Sequence, residues 1–273
     1  MSAATRVALA VLAVWAGVAL ALPILPLAPD GVDLARILEP PGNGSALGFD
    51  EVGRPVADRL LVGARTSLLV ALAVVAVAGA LGTAAGALAA YLGGWADRVL
   101  TAAVDVFMAF PGLLLAIALA ALMGPGLDNL IIALAAVGWV GYARLARAQA
   151  LSLRHREHVL AAQALGAGTL RILRLHLLPL MAGPLIIEAT FGLAGAVLAE
   201  AGLSFLGIGV QPPAASWGSM IREGVRYMLV APHLVIVPGL ALSAVVLATN
   251  LVGDWLRDRL DVRGARATGR RTT

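Results

Sequence analysis

The stretch RHREHVLAAQALGAGTLRILRLHLLP, residues 154–179, decides the fold. It carries four arginines (Arg154, Arg156, Arg171, Arg174), three of the chain's four histidines (His155, His158, His176) and one acid, Glu157. Strongly apolar runs flank it on both sides. A charged side chain at the bilayer centre costs about 2.5–3.5 kcal/mol on insertion scales. Exposed loop backbone finds no hydrogen-bond partner in hydrocarbon. The segment is therefore predicted to be an extramembrane loop between two spans.

The composition agrees. Of 273 residues, 60% are hydrophobic and 13% charged, and the mean hydropathy is +0.90. A soluble domain carries about 25% charged residues, so the chain is expected to be an all-α polytopic membrane protein. A span needs about 20 apolar residues. Six candidates fit: residues 7–27, 66–90, 99–123, 130–151, 180–206 and 234–252. The first is read as a retained helix; its rival is a cleavable signal peptide ending near Ala19-Leu20-Ala21. The expected organisation is residues 1–65 as first helix and polar loop, 66–256 as a five-helix core with a coupling loop at 152–179, and 257–273 as a tail.

Six spans put both termini on one side, and basic residues choose which. All 20 basic residues are arginine, and fourteen fall on segments that share the side of the termini. Both termini and the 154–179 loop are thus expected in the cytoplasm. The acidic loop at 30–59 and the polar loop at 207–233 are expected outside. In the latter, Trp217, Met220, Ile221, Gly224 and Met228 recur at helical spacing, which reads as an amphipathic helix on the outer surface. Gly82-x-x-x-Gly86 is a small-residue pattern read as close helix packing within the chain.

No signature of chemistry appears. His155-Arg156-Glu157-His158 lacks the zinc-protease spacing, and without lysine there is no phosphate-cradling Gly-Lys-Ser/Thr loop. The absence of cysteine excludes disulfides, thiolate metal sites and a cysteine nucleophile. No catalytic residue, metal site, cofactor or nucleic-acid partner is expected; the partner that composition does demand is the lipid bilayer.

Within residues 154–179, Glu157 to Leu165 is alanine-rich and helix-friendly, and Gly166 and Gly168 end it. A second helical piece is expected from Thr169, as N-cap, toward Leu178, with Pro179 opening the next span. Val159, Ala162, Gln163 and Gly166 share a face, with Ala161 and Leu165 beside it. Such a knob suits either the groove of a partner protein or an anionic lipid surface, and spacing alone leaves both open.

The pattern Ala161-Ala162-x-x-x-Gly166 with Leu178-Pro179 resembles the cytoplasmic loop of ABC importer permeases. Leu92-Gly93-Gly94-Trp95, Ala109-Phe110-Pro111, Gly138-Trp139, Tyr142-Ala143-Arg144, Ala199-Glu200-Ala201, Leu203-Ser204-Phe205-Leu206-Gly207, Val210-Gln211-Pro212-Pro213 and Ser216-Trp217-Gly218 are similar to the dipeptide/oligopeptide/nickel branch. The resemblance covers about residues 48–263. It implies the type I permease fold with six transmembrane helices in a bacterial inner membrane. It also implies a second permease subunit in a heterodimer, two ATP-binding subunits gripping the loop, and a periplasmic or lipid-anchored solute-binding protein. Coupling would rest on Ala161, Ala162, Gly166 and Pro179. Two positions depart from the family: Leu160 replaces a glutamate before the paired alanines, and Phe49 replaces a threonine in the first polar loop. The rivals are a stand-alone secondary transporter or channel, which usually shows inverted repeats, and a membrane enzyme.

Acids within spans normally face protein or water. Asp105 is expected to serve as a structural cap or to pair with Arg98 or Arg144. Glu188 and Glu200 are expected to line a translocation path. Twelve residues, about 18 Å of helix rise, separate them, too far for one bound ion.

Overall fold

A computed structural model of the chain describes residues 1–42 and 45–268, with side chains to residue 260. Among these, regular structure is helical, in ten α-helices: α1 (Ala3–Ala21), α2 (Val56–Leu92), α3 (Gly94–Met108), α4 (Gly112–Met123), α5 (Leu127–Leu153), α6 (Glu157–Ala164), α7 (Thr169–Ile172), α8 (Leu178–Phe205), α9 (Trp217–Val225) and α10 (His233–Thr268). Five helices are long and apolar enough to cross a membrane. The pair α3 and α4 makes up to a sixth span, bent by 88° at its break. The expected straight span at 99–123 is therefore broken. The break falls at Ala109-Phe110-Pro111, where proline lacks an amide to donate and its ring clashes with the preceding turn. α10 runs on to Thr268, past residue 257 where the tail is expected to begin; Gly44 and the last five residues of the tail lie outside the described residues.

The helices contribute to two compact units. The first comprises Met1–Ala73, Ala116–Leu134 and Leu193–Val252. Its core is built around two tryptophans. Trp15 and Trp217 have ring centroids 6.0 Å apart. Their indole N–H groups donate to the carbonyls of Ala64 and Leu60 at 2.9 and 3.1 Å. α2 begins ten residues before the apolar run expected at 66. Arg59 on that added turn is buried because it is paired: Nη1 donates to Asp50 at 3.1 Å and Nη2 to Glu223 at 2.8 Å. Charge alone had hidden this turn, since a paired arginine can be buried where a lone one cannot.

α9 does not lie on the surface as expected. Trp217, Gly218, Ser219, Met220 and Gly224 are buried, and Ser216 caps its start with a reciprocal Ser216–Ser219 pair. Gly218 sits against the backbone of Ala201 and Gly224 against Leu234, so close that a side chain at either would collide. Most of the apolar stripe is spent on protein packing, with Ile221 half-buried and Met228, beyond the helix, exposed, so α9 is held by protein and does not lie on the surface.

The second unit comprises Val74–Leu115, Ala135–Gly192 and Gly253–Thr273. Here the Gly82/Gly86 pattern packs α2 on α5 within the chain. A Cβ at Gly82 would strike the Trp139 carbonyl, and one at Gly86 the Ala143 carbonyl. Tyr142 fills the slot beside Gly79, Gly82 and Gly192. Small residues give backbones this approach, which replaces the hydrophobic drive that lipid does not supply.

Candidate functional site

The 154–179 loop is rooted in the second unit. Val159, Ile172, Leu173 and Leu177 join Ala87, Ala90, Ala146, Ala150, Leu153 and Met181 in one apolar core. Arg154 Nη1 donates to the Ala90 carbonyl at 2.8 Å, and Gln163 Nε2 to the Tyr91 hydroxyl at 3.0 Å. The His158 and His176 rings lie 6.2 Å apart. These ties make the loop a fixed knuckle.

Its residues divide by role. Ala162 is buried and holds α6 down, while Ala161, Gly166 and Pro179 are exposed. Gly166 has φ +81° and open space where a side chain would be. It ends α6 as expected, because the left-handed region suits glycine. Leu165 is 89% exposed and Leu160 47%, so the knuckle offers an apolar face beside its alanine.

Two details differ from expectation. Gly168, not Thr169, is the N-cap of α7, with no side-chain cap bond. Pro179 does not open a new span either. α7 continues through a π turn at Leu173–Leu177 into α8, and residues Thr169–Phe205 form one continuous span candidate. The widened turn lies directly before Leu178-Pro179. A proline there has no amide for the preceding turn and crowds its carbonyl, and a π turn accommodates the mismatch.

The acids fall in distinct settings. Glu188 lines a cavity of about 570 Å³ in the second unit, together with Leu100, Thr101, Val104, Asp105, Gly141, Arg144 and Arg147. A Cβ at Gly141 would sit 2.7 Å from Glu188 Oε1, so a side chain there would push the carboxylate aside. Asp105 makes no ion pair with Arg98 or Arg144. The pair formed instead joins Asp97 to Arg147: Arg147 Nε and Nη2 donate to the two Asp97 carboxylate oxygens at 2.6 and 2.7 Å. Fifty positions separate them, and no local pattern links two such residues. Arg144 Nη1 lies 3.1 Å from Met108 Sδ.

Glu200, in the first unit, is fully buried. Ser67 and Ser204 hydroxyls donate to its two oxygens at 2.8 Å each, and the Val210 amide donates to Ser204 Oγ at 3.1 Å. This chain of bonds ties α2, α8 and the loop after α8 together. In the same unit, Arg54 bridges Asp50, Glu51 and Glu223. Phe49, at the departing position of the first loop, is buried, with the Arg36 guanidinium 5.1 Å from its ring centre.

Residues 82–265 match the family described as binding-protein-dependent transport system inner membrane component. The chain is similar to a glutathione transport system permease protein of Pectobacterium atrosepticum, 41% identical, covering 84% of this chain and 76% of that protein. A probable D,D-dipeptide transport system permease protein of Escherichia coli is 40% identical, covering 85% and 78%. A dipeptide transport system permease protein of Alkalihalophilus pseudofirmus is 41% identical, covering 82% and 74%.

Proposed function

The chain belongs to the family of binding-protein-dependent transport system inner membrane components, and from that premise we propose that it imports a peptide or related small solute. It is the membrane permease subunit of an ABC importer, a multi-pass inner-membrane protein that works with a separate ATPase and a binding protein. Energy enters at the 154–179 loop, where one of two ATP-binding subunits grips the knuckle, while a second, non-identical permease completes the path and presents its own loop to the other. The distribution of arginines supports a cytoplasmic position for this loop and both termini. The relatives support peptides as cargo, because they are named as permeases of dipeptide and glutathione systems. Those names also disfavour a stand-alone transporter or channel.

The observation that carries the reading is the knuckle itself. A partner's groove closes over Ala161, Leu165 and Gly166, while Val159, Ala162 and Ile172 transmit its motion into the core beneath. Pro179 and the π turn before it form the joint between knuckle and span. Leu160 presents an alkyl side chain where the family presents a carboxylate, so the partner's groove meets it with an apolar surface. Glu188 faces the solute from its cavity. Glu200 is closed in here, and its share in the path is proposed for an opened state in which Ser67 has moved away.

Gly166→Leu tests the coupling role. The left-handed backbone costs about 1–2 kcal/mol for a residue with a Cβ, and the new side chain occupies the space of the groove. The variant should insert and fold but lose ATP-driven uptake in the assembled transporter. Unchanged uptake would contradict the reading.

A further inference from the structure

The cavity beside Glu188 holds charges of both signs that the chain does not use. Among the described residues, neither the Glu188 nor the Asp105 carboxylate accepts a hydrogen bond or pairs with a cation, and Arg144 pairs with no carboxylate. Arg147 is excluded from this set, since Asp97 holds it in a two-bond fork. What remains is two carboxylates and one guanidinium around about 570 Å³ of open space. Small-molecule sites span about 300–1,000 Å³ and carry a few convergent polar groups in an otherwise apolar lining. Leu100, Val104 and Ala143 provide that lining.

Charged side chains within spans normally pair with one another or face the path of a charged cargo. Three unpaired ones around a single cavity are left for a cargo to complete. Building on the importer reading above, we propose that the permease itself contains a charge-reading station for a zwitterionic solute. The solute's ammonium group is received by Glu188 and Asp105, and its carboxylate by Arg144. The surplus acid makes the station favour an amine over a carboxylate, so it accepts a free amino terminus and rejects a blocked one. Gly141 belongs to the device: any side chain there would displace the Glu188 carboxylate.

The test uses the chain assembled with its partner permease and ATPase subunits in nanodiscs, without nucleotide or binding protein. Binding of three probes is measured by calorimetry: dialanine, dialanine amide and N-acetyl-dialanine. Dialanine and its amide should bind, and N-acetyl-dialanine should bind at least 10-fold more weakly. Glu188→Gln and Asp105→Asn should each weaken dialanine about 10-fold, while Glu188→Asp retains binding. Arg144→Gln should weaken dialanine and leave dialanine amide unaffected. Nucleotide hydrolysis by the variant complexes reports that they are folded. Equal binding of the three probes, binding of none, or a Glu188→Gln complex that binds like the parent would overturn the proposal. Parental ATP-driven uptake separates the two claims: its presence with no probe preference refutes the station alone, and its absence refutes the importer reading.

Discussion

Replacing Arg59 by methionine should destabilise the first unit by about 3 kcal/mol. The guanidinium is 2% exposed and bridges Asp50 at 3.1 Å and Glu223 at 2.8 Å. Removing one member of a buried ion pair costs about 3–5 kcal/mol, because the other charge is left without compensation. The two acids do not suffer equally. Asp50 keeps the Arg54 Nε at 2.6 Å and the amides of Val52 and Arg54 at 3.0 and 2.9 Å. Among the described residues, Glu223 keeps Arg54 Nη2 alone, at 3.4 Å. Most of the loss therefore falls on Glu223, which places the expected cost at the lower end of the range. Glu223→Gln added to Arg59→Met should restore about 1 kcal/mol, since a neutral amide is less penalised than an unpaired carboxylate. Urea unfolding in detergent, followed by tryptophan fluorescence with Trp95, Trp139 and Trp255 of the second unit replaced by phenylalanine, reads this, because Trp15 and Trp217 lie 6.0 Å apart in the first unit. An Arg59→Met variant within about 1 kcal/mol of the parent, or a double variant less stable than the single, would refute the reasoning.

Gly82→Val should destabilise by about 3 kcal/mol, the upper end of ordinary overpacking, because the colliding atom is the Trp139 backbone carbonyl and cannot rotate away; a normal yield of monodisperse, parent-stable protein would contradict it. Burial pushes the Glu51 carboxyl above its ordinary value, with Asp50 and Glu223 adding to the rise against its own backbone amide and Arg54. The folded state thus binds that proton more tightly than the unfolded chain, and stability from this group is present below the ordinary glutamate range and lost as pH climbs through the raised value. Glu51→Gln should flatten the decline of the unfolding midpoint over that window, and parallel curves for variant and parent would refute the assignment.

How much of this was legible in the residues depends on whether the signal was local. The loop at 154–179 was readable because charge density against an apolar background needs no partner to interpret. Gly166 as a helix stop and Gly82/Gly86 as a packing seam were readable because glycine's steric freedom acts where it stands. Arg59 inside α2 was not, since its burial depends on Glu223, 164 positions away. The Asp97–Arg147 fork was hidden for the same reason, and Asp105 was assigned the neighbours nearest in sequence. α9 showed an apolar stripe, but a stripe does not say whether lipid or protein covers it. Pro111 reads as lying inside one span and Pro179 as the start of another, yet the chain bends by 88° at the first and the second follows a π turn in a continuous helix. Which response a proline draws is set by what packs around it.

The central claim is that this permease has no energy source of its own and is driven through its cytoplasmic knuckle. Reconstituting the chain and its partner permease into proteoliposomes, with binding protein and internal ATP, tests it by omitting the ATPase subunits. Solute should accumulate against its gradient only when they are present, and accumulation by the permeases alone would contradict the account.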